Sequence, residues 1–272
     1  MEHEVAEPTI HTYQVNARLA IDTLEAGSGE PLLFLHGAGG LAWDPYLDAL
    51  AERRRVIAPF LPGTSKSNDI SQVRDLWDLV LCYYDLLDAL GIDRADVIGH
   101  SMGGMIACEM AANDPSRVGR LVAIAPAGLF DIDDPMPDIF AMRSAELAQR
   151  VLVDPKSPIA ELLGAMPDDV DEQVEVLIQR LGTLNAAAKF LWPIPDKGLL
   201  RRLPRIKAPT LIVWGRQDGL IPVSYGNTFR DSIPGARLDV LNQASHLVQL
   251  ERLPDVLALT WQALASQGGS AP

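Results

Sequence analysis

The chain has 272 residues, 48% of them apolar, and a formal net charge of −13. That length supports a sizeable core in one large domain or two small ones, and the acidic balance, with no Lys/Arg cluster to offset it, argues against nucleic acid and anionic membrane surfaces as partners. No apolar run reaches the roughly 18 residues of a membrane span, and the opening MEHEVAEPTIHTYQ lacks the basic start and apolar stretch of a signal peptide, so a cytoplasmic protein is expected.

In chain order, TYQVNARLAIDTLE (12–25) predicts two short strands about the turn-prone Asn16, followed by a Gly-rich turn, AGSGEP. Brief apolar runs closed by Gly or Pro then recur as PLLFLHG (31–37), RVIAPF (55–60), DVIGHS (96–101), RLVAIAP (120–126) and PTLIVWG (209–215). Each reads as a buried parallel strand, and ARLDVL (236–241) as a further strand nearer the sheet edge. Between them, residues 71–92 carry apolar positions at helical spacing up to Gly91, the stretch 103–118 holds a helix that ends before Pro115, and 255–266 close the chain as an amphipathic helix. The basic run ERRR (52–55) reads as the solvated end of a helix. Strands alternating with helices imply an open parallel sheet covered on both faces.

One stretch breaks this rhythm. Residues 127–204 hold no convincing strand but show helical patterns over 138–152 and 168–192, punctuated by prolines at 135, 137, 155, 158, 167, 193 and 195. A helical cap inserted between two core strands is expected there, with 1–126 and 205–272 as the core; a separate helical domain is the alternative. Cys82 and Cys108 lie in helical segments without C-x-x-C or Cys/His metal spacing and read as reduced core thiols.

The stretch VIGHSMGGMIA (97–107) sets Ser101 between Gly99 and Gly103, after an apolar strand and before a helix. Flanking glycines permit the sharp turn that exposes a nucleophilic hydroxyl, although a five-residue Gly-x-Ser-x-Gly pattern also arises by chance. Serine needs a base. Of the five histidines, His3 and His11 lie near the start, His36 precedes a Gly-rich turn and His100 adjoins Ser101, whereas His246 follows the last strand at the sheet edge where the serine turn emerges. Asp218, just past the strand 209–215, is the expected orienting acid, with Asp131 and Asp133 as runners-up. Backbone N–H groups of Met102 and Ala38 are the candidate oxyanion donors, His36 serving to hold their loop.

These motifs, LHGAGG, GHSMGG, APTLIVWGRQDGLIP and ASHLVQLERL, resemble the α/β-hydrolase superfamily over essentially the whole chain. VIAPFLPGTSKS, WDLVLCYYDLLDALGI and IAPAGLF look more narrowly like bacterial hydrolases of the meta-cleavage-product group and their carboxylesterase relatives. The resemblance implies an eight-stranded, mostly parallel sheet with helices on both faces and a helical cap, and neither a metal nor an organic cofactor. The chain departs from that group where Phe60 and Ser65 replace an Asp and paired glycines, where Leu247 replaces an aromatic residue, and where GAGGLAW replaces a Gly-Pro-Gly oxyanion loop. These departures weaken carbon–carbon bond cleavage as the activity, and a serine at 101 argues against the aspartate-nucleophile dehalogenases and epoxide hydrolases.

The expected activity is therefore a cofactor-independent serine hydrolase acting on a carboxylic ester or related acyl bond of a small apolar or aromatic substrate. Carbon–carbon cleavage, perhydrolase or haloperoxidase-like activity and a non-catalytic small-molecule receptor are the alternatives. Trp43, Phe130, Met142, Phe190, Trp192, Leu220 and Leu247 are the candidate pocket residues, each of which plain core packing would equally explain. Aspartates 131, 133, 134 and 138 either discourage anionic substrates or form a solvated loop. The oligomeric state stays open, a homodimer among the options.

Overall fold

The computed structural model describes residues 7–65, 69–192 and 197–265; His3, Pro193, Pro195 and Ser266 lie outside them. Its strands are β1 (Thr9–Gln14), β2 (Ala20–Ala26), β3 (Pro31–Leu35), β4 (Arg55–Pro59), β5 (Ala95–His100), β6 (Val118–Ile124), β7 (Thr210–Gly215) and β8 (Arg237–Leu241). They form one eight-stranded sheet in the order β1-β2-β4-β3-β5-β6-β7-β8. β1 and β2 pair antiparallel, as do β2 and β4, and every other pair is parallel. The first turn is made by Asn16, whose side-chain oxygen accepts from the backbone N–H of Arg18 and Leu19.

Helices α1 (Pro45–Ala51), α2 (Leu76–Ala89) and α3 (Met102–Asn113) fill the early crossovers; α4 (Ser144–Val151), α5 (Pro158–Gly164), α6 (Val170–Leu191) and α7 (Leu199–Arg202) follow β6; α8 (Ser224–Ser232), α9 (Val248–Glu251) and α10 (Leu253–Ala265) complete the chain. Alternate strand residues serve opposite faces. Leu33, Leu35, Val97, Leu121, Ala123, Ile212 and Trp214 pack with α2, α3 and α8. Leu32, Phe34, Ile98, Val122, Ile124, Leu211 and Val213 pack with α1 and α10 on the other side, where the Tyr46 hydroxyl meets Thr260 Oγ1 at 2.8 Å. Burial on both faces is what makes the central strands read as unbroken apolar runs. No helix among the described residues is long and apolar enough to cross a membrane.

Three sequence expectations need correction. The helix expected over 71–92 begins only at Leu76, because the Asp75 carboxylate caps it by accepting from Trp77 and Asp78 N–H, while Asp69 caps a separate turn at Ile70–Gln72. The pattern over 138–152 is helical only from Ser144, since Asp138 accepts from Phe140 N–H in a local turn and Arg143 is extended. ERRR does close helix α1, with Glu52 as its C-cap and Glu52 and Arg53 exposed. Its later residues are not merely solvated: Arg54 pairs with buried Asp96 at 2.6 Å and Arg55 with Glu25 at 2.9 Å, while Arg53 lies over the Trp261 ring. ERRR marks only the end of α1, and α8 went unread, both helices being short; α1 starts on an Asp44 cap with Pro45 in its first turn. Both cysteines are buried free thiols, and burial raises the Cys82 thiol to about 11.

Among the described residues the stretch between β6 and β7 contains helices and no strand. Its return to the core is anchored by Arg202, which grips Glu109 of α3 through two hydrogen bonds of 2.7 and 2.6 Å and lies over the Trp77 ring. Glu109 is 1% exposed, so removing its partner strands a buried charge. Arg202→Met should lower stability by about 3 kcal/mol, read from urea unfolding, and the double variant Glu109→Leu/Arg202→Met should recover most of that loss.

Candidate active site

The serine turn is built by close backbone approach. Ser101, between β5 and α3, has φ 55° and ψ −118°, a conformation costly for a residue with a Cβ. A side-chain carbon at Gly99 would stand 2.3 Å from the Gly103 carbonyl oxygen, and one at Gly103 would stand 1.9 Å from that of Leu35. Glycine at both positions therefore lets α3 start directly against the end of β3. The turn is tied to the neighbouring strand by Ser101 N–H donating to Ile124 O at 2.9 Å and by Ala127 N–H donating to Ser101 O at 3.0 Å.

The loop after β3 reaches the same place: a side-chain carbon at Gly37 would lie 3.2 Å from Ser101 Cβ. Among the described residues neither Ala38 N–H nor Met102 N–H donates to another backbone group. His36 holds this loop. One of its nitrogens, Nδ1, meets Gly37 O at 2.7 Å, and Nε2 accepts from Leu61 N–H at 3.2 Å, a pattern that needs the neutral ring. Burial lowers its pKa to about 4.

Asp218 and His246 come together from different loops. A side-chain carbon at Gly215 would lie 2.1 Å from Ser245 O, so the end of β7 and the histidine loop touch. His246 Nδ1 meets Asp218 Oδ2 at 2.9 Å. The other carboxylate oxygen accepts from Leu220 and Ile221 N–H, each at 2.9 Å, which fixes the fully buried carboxylate. His246 Nε2 has no hydrogen-bond partner among the described residues, Ser101 Oγ included. The runners-up stand elsewhere: Asp131 is exposed and accepts from the backbone of Asp133, which is exposed too.

One further residue of the site escaped the sequence reading. His100 Nε2 donates to the backbone carbonyl of His246 at 3.0 Å, and the two rings lie 4.9 Å apart. Burial first, and then the neighbouring His246, push its pKa down to about 3. Only the adjacency of His100 to Ser101 hinted at this; the bond spans 146 positions.

The expected pocket residues disperse. Phe190 and Leu220 are core side chains; Met142 packs against the same core and Phe130 is half-buried. Trp43 donates to Asp48 and packs on the α1 and α10 side, Trp192 is exposed beside Phe140, and Leu247 N–H donates to Val151 O next to the site. A cavity of about 170 Å³ instead opens between Gly39–Leu41, Phe60 and the α6 side chains Val176, Gln179, Arg180 and Thr183. A larger one, about 450 Å³, lies around Pro31, Asp96, Gly119 and Pro209, at the opposite ends of the strands from Ser101. Among the described residues no group of three or more His, Cys, Asp or Glu could hold a metal ion.

Two histidines kept neutral well below their ordinary value of 6.5 bind fewer protons folded than unfolded. Their contribution to stability is complete above about 6.5 and is lost as pH falls toward about 4 and 3. Each should cost on the order of 1 kcal/mol per pH unit in that window, and urea midpoints measured from neutral pH downward should fall less steeply for His36→Gln and for His100→Gln than for the wild type.

Residues 30–253 match a family model described as alpha/beta hydrolase fold. The chain is 33% identical over 252 residues to 2-hydroxy-6-oxo-6-phenylhexa-2,4-dienoate hydrolase of Comamonas testosteroni, covering 84% of this chain and 85% of the relative. It is 31% identical over 283 residues to 2-hydroxymuconate semialdehyde hydrolase of Pseudomonas sp. strain CF600, covering 97% of each. Among solved structures, 2-hydroxy-6-oxo-6-phenylhexa-2,4-dienoate hydrolase from Rhodococcus sp. strain RHA1 superposes with a TM-score of 0.77 at 23% identity, over 96% of this chain and 100% of that one. Strand order, serine turn and family match agree: the chain belongs to the alpha/beta hydrolase fold family, and it is a hydrolase.

Proposed function

We propose that the chain cleaves a carboxylic ester or related acyl bond through an acyl-enzyme on Ser101. The observation that carries this reading is the buried Asp218–His246 hydrogen bond, which leaves Nε2 as the only proton acceptor of that ring. His246 Nε2 takes the Ser101 proton as Oγ adds to the substrate carbonyl. The Ala38 and Met102 N–H groups receive the oxyanion, and the protonated ring then delivers its proton to the leaving group. Water, deprotonated by His246, adds to the acyl-enzyme, and its collapse returns Ser101 and the free acid. Asp218 stays ionised, fixing the Nδ1–H tautomer and stabilising the imidazolium.

In this reading residues 127–204 are the cap, and the α6 face that borders Gly39–Leu41 shapes the acyl pocket. The substrate is a small apolar or aromatic compound, consistent with Phe60 and Val176 on the cavity wall. A second reading, carbon–carbon cleavage, is favoured by Arg180 on that wall, a cation able to pair a substrate carboxylate, and by relatives named as dienoate and semialdehyde hydrolases.

Ser101→Ala should abolish both fluorophosphonate labelling and turnover of p-nitrophenyl esters, and Asp218→Asn should cut kcat by about 10³-fold or more while the protein stays folded. Labelling of the wild type without ester turnover, combined with hydrolysis of a dienoate that Arg180→Met abolishes, would establish the second reading instead. A wild type that neither labels nor turns over any of these substrates would rule out both.

A further inference from the structure

The cavity of about 450 Å³ at the far ends of the strands plays no part in the chemistry at Ser101. Three arginines line it, Arg54, Arg94 and Arg120, against two acids, Glu30 and Asp96, on a chain whose net charge is −13. The sheet departs from regularity to make this place. Ala95 pairs with Val118 and Val97 with Leu121, so Asp96 alone faces both Gly119 and Arg120, a bulge between two central strands. Bulges re-aim side chains and cluster beside functional sites. Glycine inside a strand weakens it and marks a close approach; at Gly119 a side-chain carbon would stand 2.5 Å from Asp96 Oδ1.

Asp96 fixes one wall. Its side chain is 7% exposed, its Oδ2 accepts from Arg54 Nη2 at 2.6 Å, and Arg120 Nη1 stands 3.5 Å from the same oxygen. Arg54 is held further by donating to the Glu30 and Pro31 carbonyls. A buried ion pair needs one arginine, and this pair is complete. Arg120 brings a second cation to an oxygen already taken. Arg94, which donates to Val118 O and Gly119 O, makes no ion pair among the described residues. Gathering like charges costs free energy that an anion placed between them recovers.

We propose that this cleft binds a phosphate monoester with a small apolar or aromatic body. At neutral pH a phosphoryl group carries about two negative charges on three acceptor oxygens. That matches the two arginines left over from the Asp96 pair, and each guanidinium offers it a fork of parallel donors. A carboxylate brings one charge and two oxygens, fewer than the lining can engage. Asp96 is spent on Arg54, and Glu30 is exposed, where water screens its charge. The volume is that of a site for a small organic molecule rather than for an ion alone, and Pro31, Pro209 and Leu264 supply apolar wall for the body. The cleft lies at the opposite ends of the strands from Ser101 and owes nothing to the chemistry proposed above.

Titration calorimetry of the full chain with phenyl phosphate should show one site per chain. Arg94→Gln and Arg120→Gln should each weaken binding by about 10-fold while the circular dichroism spectrum stays unchanged. Arg74→Gln, which removes an exposed arginine at the start of α2, should leave it as it was. In the wild type, phenyl phosphate should protect Arg94 from modification by phenylglyoxal, a readout that needs no variant. Absence of binding at millimolar phenyl phosphate overturns the proposal, as does binding that survives both cleft substitutions or falls equally with Arg74→Gln. So does binding lost on Arg180→Met instead, which would place the probe in the cavity beside α6. Inorganic phosphate binding as tightly as phenyl phosphate would overturn the organic body, and benzoate binding as tightly would overturn the phosphoryl group.

Discussion

The approach of α3 to the end of β3 sets the terms for everything around Ser101. At position 103 the Leu35 carbonyl oxygen sits where a side chain would have to be, so the helix begins in direct contact with its neighbour strand. That contact forces the sharp turn, the turn forces the positive φ of Ser101, and hydrogen bonds to Ile124 and Ala127 hold the strained residue in place. Local strain of this kind persists only where the surroundings over-determine it. Here they do so with covalently fixed backbone, so the hydroxyl and the Met102 N–H are set by the scaffold before any substrate arrives.

The Asp218–His246 pair is arranged by similar means at a second contact, Gly215 against Ser245. Two loops from different strand ends are pressed together, and the carboxylate is pinned by the Leu220 and Ile221 amides. His100 then joins the two halves of the site, since the residue preceding the serine holds the backbone of the histidine. It can do so while staying uncharged, because a buried imidazole beside another imidazole loses more by protonation than it gains.

Much of this was legible in the residues. Strand runs such as PTLIVWG are continuous because both faces of the sheet are covered, and the glycines around Ser101 mark the tight turn by their spacing alone. Asp218 and His246 could be picked because each follows a strand at the same end of the sheet. What escaped is side-chain geometry between distant segments. Aromatic and aliphatic residues of the inserted helices look alike whether they fill the core, as Phe190 does, or face outward, as Trp192 does. The cavity wall comes from α6 and the loop after β4, and no pattern within either segment announces that they meet. Helix starts also shifted by several residues where Asp75 and Asp138 made caps and turns that periodicity does not register.

The end of α4 is stitched to the histidine loop: Ser245 Oγ donates to Arg150 O at 2.7 Å, Leu247 N–H donates to Val151 O at 3.1 Å, and Glu251 accepts from both Val153 and Ser245 N–H. The residues on either side of His246 thus share their hydrogen bonds with the inserted segment. Any displacement of α4 would therefore pull on the backbone that carries His246. On the α6 side the approach is of another kind: the group nearest Gly40 is the Thr183 methyl. The inserted segment is thus tied by hydrogen bonds to the loop that carries His246 and by van der Waals approach to the loop after β3.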